Sequence, residues 1–207
     1  MSRLAIAFLS LTACCWVVGC TAKSAPSVPA TPEGTVETVA KALADKQPGV
    51  IWNALPASYQ KDVNGLIQLF AQKMDKEVYD KSFEVLNKAI KVLGDKKDFI
   101  LGHPMLAEGP MKKDELKQNW DSVVGMFRTL TGSEIRTLAS LKSLDVGKFL
   151  SGTGAKIMAQ ASQVSKAAKD DEMGKALDKL SKIKVEVVES GADAAKLRVT
   201  MPDETPE

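Results

Sequence analysis

The chain has 207 residues, 44% hydrophobic and 26% charged, which suits one domain of ordinary size with a buried core and excludes disorder beyond the ends. The formal net charge is +2, and lysines are mixed with Asp and Glu along the sequence. There is thus no basic stripe for nucleic acid and no polybasic arm for anionic lipid, and aromatics at 5% leave little for base stacking.

Residues 1 to 20 read MSRLAIAFLSLTACCWVVGC, a short start with Arg3 and then an uncharged apolar run from Leu4 to Val18. That run fits the core of a secretory signal and is short of the roughly 20 residues that a spanning helix needs. Its end, "VVGC" from Val17 to Cys20, resembles the lipobox of bacterial lipoprotein signal peptides. The resemblance implies that Cys20 takes a diacylglyceryl group on its thiol, that cleavage occurs just before it, and that its new amine is acylated. It also accounts for where the three cysteines lie. Cys14 and Cys15 leave with the signal and Cys20 is consumed by lipid, so an oxidising compartment meets no free thiol. Several acyl chains, at about 0.8 kcal/mol per buried methylene, make a stable membrane anchor. The stretch from Thr21 to Thr31, with Pro26 and Pro29, is a tether that spans at most about 40 Å.

Helical periodicity begins at Thr31. Thr31-Pro32-Glu33 supplies a cap, a first-turn proline and an early negative charge, and Val36, Val39, Ala40 and Leu43 follow on one face. Gln47-Pro48-Gly49 is expected to stop that helix, and Val50 to Leu55 is a short segment carrying Trp52. After Pro56, the spacing of Tyr59, Val63, Leu66, Ile67, Phe70 and Met74 predicts a second amphipathic face. Tyr79, Phe83, Leu86, Ile90 and Leu93 predict a third, ended by Gly94. Asp95 to Met111 reads as a connector rich in Gly and Pro. Leu116, Trp120, Val123, Phe127 and Leu130 form the next helix, stopping at Gly132. Ser133 to Leu141 reads as another, and Val146 to Leu150 as a short turn of helix. Ile157 to Ala168 is a thin alanine-rich helix, followed by a last one with Met173, Leu177 and Leu180.

The final residues alternate with period two. Ile183, Val185 and Val187, then Ala195, Leu197, Val199 and Met201, face one way, with Ser190-Gly191-Ala192-Asp193 between them, and this predicts a β-hairpin pairing 183–189 with 194–201. A lone hairpin is marginal in water, so its apolar face must rest on helices or on further strands. Pro202-Asp203 is a turn signal close to Glu207, and natural relatives are expected to continue into more strands.

Residues 31 to 63, TPEGTVETVAKALADKQPGVIWNALPASYQKDV, resemble the opening helices of small bacterial envelope proteins of the NTF2-like type, and the hairpin at 183–201 resembles the start of their curved sheet. The expected fold is α+β and predominantly α-helical, with a C-terminal antiparallel hairpin that the resemblance makes the stub of an NTF2-like sheet. Three regions follow: a signal peptide over 1–19, a lipidated cysteine and flexible tether over 20–31, and a single helix-rich domain over 32–207.

Candidate chemistry is sparse. His103 in "LGHPM" is the single histidine, and its nearest carboxylate, Glu108, does not make a cluster, so it reads as a loop residue. "GKFLSGTGAK" over 147–156 lacks the Walker order of glycine, lysine and hydroxyl and has no strand before it, so it reads as a glycine-rich helix break. "KDDE" over 169–172 lacks the EF-hand spacing and reads as a helix junction with an N-cap. Trp52, Tyr59 and Trp120 are candidate pocket or core aromatics. No catalytic, metal or cofactor-binding residue is expected, and no cofactor. The expected function is that of a cell-envelope lipoprotein held to a membrane by its N-terminal lipid, serving as a non-catalytic binding or structural module for an envelope protein or a small molecule and not for nucleic acid. Two alternatives remain: an envelope hydrolase built on carboxylates and His103, and a periplasmic chaperone-like protein.

Overall fold

The structure is a computed structural model that describes residues 27–104, 113–167 and 171–202. Cys14, Cys15, Cys20 and Glu108 lie outside the described residues. Among the described residues helix dominates, with ten α-helices and one π-helical turn followed by two strands.

Helix α1 (Pro32–Ala44) starts as its sequence directs, with the Thr31 hydroxyl accepting from the Gly34 amide at 3.3 Å and Glu33 in the first turn. The residues just before it turn back onto it, because the Thr35 hydroxyl donates to the Pro29 carbonyl at 2.9 Å. The helix stops at a residue that the sequence reading passed over. Lys46 has φ 61°, in the left-handed region, and the amides of Lys46 and Gln47 return to the carbonyls of Leu43 and Ala42 at 2.9 and 2.8 Å. This Schellman arrangement usually holds glycine. Helix α2 (Gly49–Ala54) carries Trp52 inward. A Cβ on Gly49 would lie 2.0 Å from the Ser151 hydroxyl, so only glycine permits that approach.

Helix α3 (Ala57–Lys73) follows Pro56, and α4 (Lys76–Asp95) is capped by Asp75, whose carboxylate accepts from the Val78 amide at 2.9 Å. Within the expected connector lies a further short helix, α5 (Lys97–Leu101). One turn with Leu101 buried and Ile100 half-buried is too brief for periodicity to reveal, and contact with Ile90, Trp120 and Val124 stabilises it. Gly94 does not end α4, which runs through it to Asp95.

Helix α6 (Lys113–Thr131) packs on α4 and on α9. The helix expected from Ser133 shrinks to α7 (Leu138–Lys142), because Thr137 is the residue that caps it, accepting from the Ser140 amide at 3.1 Å. Helix α8 (Val146–Phe149) passes through a π-helical turn at Leu150–Gly154 into α9 (Ala155–Ala167), so the glycines of "GKFLSGTGAK" widen the helix and do not break it. Helix α10 (Glu172–Ser181) is capped by Asp171, whose carboxylate accepts from the Gly174 amide at 2.8 Å and the Ser165 hydroxyl at 2.7 Å.

Strands β1 (Lys184–Ser190) and β2 (Ala195–Thr200) pair antiparallel, with Val185 opposite Val199 and Val187 opposite Leu197. The register shifts between Val187 and Glu189, where a second valine, Val188, interrupts the alternation. The hairpin lays Ile183, Val185 and Leu197 against Val36 and Ala40 of α1 and Leu180 of α10. Among the described residues the sheet has these two strands, and the longer curved sheet implied by the NTF2-like resemblance is not among them.

Among the described residues most of the buried apolar side chains fall into three clusters, with Ala42, Val50 and Trp52 buried outside them. One joins α3, the start of α4, α7 and α8; another joins the end of α4 with α5 and α6; the last joins α1, α10 and the hairpin. Helices α9 and α10 link the hairpin end to α6. The predicted face of α3 is only half used. Ala71 is buried and Ile67 half-buried against α7, whereas Tyr59, Leu66 and Phe70 are 60%, 65% and 50% exposed.

Candidate functional site

The partial burial of α3 creates the most distinctive surface of the molecule. Leu66, Ile67 and Phe70 of α3 form one wall of a groove, and Leu144, Phe149 and Leu150 form the facing wall. Tyr79, Leu130, Ile135, Leu141 and Val146 complete it, and its volume is about 640 Å³. Every lining side chain is apolar except Tyr79, and the Tyr79 hydroxyl is already committed as donor to the Ile135 carbonyl. Burial pushes the Tyr79 phenol above its ordinary value, with the nearby Asp80 carboxylate adding to the effect, so the hydroxyl remains a neutral donor through physiological pH.

The walls are held by contacts that local sequence does not announce. The Tyr79 ring stacks on Phe83 with centroids 4.9 Å apart. The Asn64 side-chain oxygen accepts from the Val146 amide at 3.5 Å, joining α3 to the start of α8. Behind the second wall, the buried Thr153 hydroxyl in the π-helical turn donates to Glu134 at 2.8 Å. Hydrogen bonds from its own backbone amide and from Thr153 hold the Glu134 carboxyl below its usual range. The groove therefore has a braced frame and an apolar interior. It can take up apolar side chains or a hydrocarbon, and it offers no group that would orient a polar substrate.

The three aromatics singled out in the sequence do not converge. Trp52 is buried against Gly147, where an added Cβ would lie 2.6 Å from Cδ1 of the indole. Trp120 sits with Ile90, Leu101 and Val124 and donates its indole N–H to the Leu93 carbonyl at 2.8 Å. Tyr59 belongs to neither cluster and projects into solvent, because α3 turns its Ala71 and Ile67 edge toward α7. Leu66 and Phe70 stand in the sequence as ordinary members of a predicted apolar face. Nothing in their spacing shows that the fold leaves them uncovered.

His103 lies exposed in the turn after α5, its amide donating to the Ile100 carbonyl at 3.0 Å. Among the described residues no group of three His, Cys, Asp or Glu side chains stands where it could hold a metal ion. Asp171, the described acidic residue of "KDDE" nearest the helix start, is held below the ordinary carboxylate range first by the Ser165 hydroxyl and then by the Gly174 amide, as a capping residue should be. No helix among the described residues is long and apolar enough to cross a membrane. No family model, curated protein or solved structure matches the chain.

Proposed function

We propose that the protein is a membrane-anchored lipoprotein of the bacterial cell envelope whose helical body is a non-catalytic binding module, and that the groove between α3 and α8 receives an apolar helix face of an envelope protein. The observation that carries this reading is the groove itself, walled by half-exposed Leu66 and Phe70 and by Phe149 and Leu150, with its single hydroxyl already engaged. A helical segment satisfies its own backbone and presents side chains alone, which suits a lining without free donors or acceptors. Anchoring rests on the charged start, the apolar run and the VVGC sequence, and it would hold the start of the helical body within about 40 Å of the bilayer, the reach of an 11-residue tether.

Two experiments test the two halves separately. Replacing Cys20 with Ser should shift the protein out of the membrane fraction; a variant that stays membrane-bound like its parent removes the anchor. A photo-activated cross-linking residue at Phe70 should capture a discrete protein in cells, while the same residue at Glu186, on the exposed side of the hairpin, should not. Equal capture at both positions, or capture of a broad mixture of unfolded chains at Phe70, defeats the specific-partner reading. The second of those outcomes would favour the chaperone alternative.

A further inference from the structure

Helix α4 carries two apolar stripes, and the fold buries only one. Tyr79, Phe83, Leu86, Ile90 and Leu93 follow one another at intervals of four and three residues, and Tyr79 and Ile90 of this stripe are buried, Phe83 and Leu93 half-buried, and Leu86 48% exposed. One residue earlier runs a second stripe with the same intervals: Val78, Ser82, Val85, Ala89 and Val92. It lies about 100° around the helix from the first, so the apolar arc of α4 spans about 180°, well beyond the one-sided stripe a surface helix uses to meet its core. All five residues are exposed, with Val78, Val85 and Val92 at 55%, 64% and 53%.

Intervals of four and three are those of a helix-on-helix seam. Within this seam, valine occupies every position of one kind and a small residue, Ser82 or Ala89, every position of the other. A parallel pair would stack valine on valine and small on small in alternate layers. An antiparallel pair places a valine opposite a small residue in each layer, so all layers have equal volume. A shallow, open hollow lies on this face, lined by Val78, Lys81, Ser82, Val85 and Leu86, with Asp75 and Glu77 at its end toward the start of the helix.

We infer that α4 is the interface of an antiparallel homodimer, with a second copy of this chain packed on the Val78–Val92 stripe about a two-fold axis. Charge selects the register. With Ser82 opposite Val92 of the second copy and Val85 opposite its Ala89, Val92 enters the hollow and Lys81 meets Asp95 on both sides of the two-fold axis, at the cost of one Lys88 facing Lys88 of the second copy on the axis. The register one heptad away, with Ser82 opposite Val85, would set Lys81 against Lys88. Lys81 now pairs with Glu84 at 3.1 Å, and Asp95 with Lys91, all on the exposed flank of the stripe. A single helix seam belongs among small interfaces, under about 1,200 Å² in total, so affinity is modest, and confinement of two copies to one surface would raise their effective concentration.

The test is sedimentation equilibrium of the full chain in density-matched detergent over a concentration series. A monomer–dimer equilibrium is expected, and Val85→Glu, which buries a charge at the centre of the seam, should weaken it by at least about tenfold. Ala89→Glu should do the same, and circular dichroism of both variants should match the parent because neither residue is buried in the protomer. Lys81→Asp should weaken the dimer, and combining it with Asp95→Lys should restore the parent affinity to within about threefold. A chain that is monomeric throughout, a dimer indifferent to Val85→Glu and Ala89→Glu, or a charge swap that recovers nothing overturns the inference. So does a monomer whose binding to phosphatidylcholine vesicles is lost on Val85→Glu, which would assign the stripe to lipid.

Discussion

Trp120 offers the sharpest test of how the long helices are held together. Its indole fills the cluster of Ile90, Leu101 and Val124, and its N–H donates at 2.8 Å to the carbonyl of Leu93. Leu93 lies in the last turn of α4, whose carbonyls have no donor within the helix, so the indole satisfies an acceptor that would otherwise go without. Trp120→Phe keeps an aromatic ring and removes the donor, and leaving a part-buried carbonyl unpaired costs about 1–3 kcal/mol. Trp120→Ala removes the ring as well, and large-to-small changes of aromatic core residues cost about 3–5 kcal/mol. Against a typical stability of about 5–15 kcal/mol, the first variant should remain folded with a lower urea midpoint and the second should approach the unfolding threshold. Urea titration followed by far-ultraviolet circular dichroism reads both, since helix is the dominant signal. The reasoning is refuted if Trp120→Phe lies within about 0.5 kcal/mol of the parent, a surface-like value, or if Trp120→Ala costs no more than Trp120→Phe.

Backbone positions give three expectations, two stabilising and one destabilising. Lys46→Gly should stabilise by about 1 kcal/mol in thermal melts, because a lysine now occupies the left-handed position that ends α1. Gly65→Ala, mid-helix in α3 with nothing within 4 Å of the added Cβ, should stabilise by about 0.5–1 kcal/mol. Gly147→Ala should instead destabilise by about 1–3 kcal/mol, since its Cβ would lie 2.6 Å from the Trp52 ring, and a neutral melt would mean that the two do not touch. In acid, Asp171 has its folded pKa below the ordinary 3.8, so its stabilising contribution is full above that value and is lost as pH falls through the lowered one. Asp171→Asn should therefore flatten the acid limb of the stability profile, and an unchanged limb would contradict its capping role.

Local chemistry wrote much of this fold. Thr31-Pro32-Glu33 starts α1 where a cap, a ring-fixed φ and an early negative charge coincide, and these interactions reach only three residues along the chain. The hairpin follows from period-two alternation, which is equally local, and its bulge sits at the doubled Val187-Val188. The VVGC sequence that resembles a lipobox is likewise a contiguous pattern, legible without a fold. What tertiary structure decided is which apolar surface is covered. On α4 the stripe beginning at Tyr79 and the stripe beginning at Val78 have identical intervals; the larger Tyr, Phe, Leu and Ile side chains already mark the first as the core face, and the fold decides what it packs on. The first is buried because Tyr79 reaches the Ile135 carbonyl and Ile90 meets Trp120, contacts across 56 and 30 positions of chain that no local window contains. On α3 the same physics turned Ala71 inward and left Leu66 and Phe70 to wall the groove. The brief helices α5 and α7 are too short to nucleate alone and exist because Leu101, Leu138 and Leu141 are buried by neighbours distant in sequence. Amphipathicity specifies that a face will be buried, and the geometry of packing selects the partner it meets and how much of that face stays uncovered.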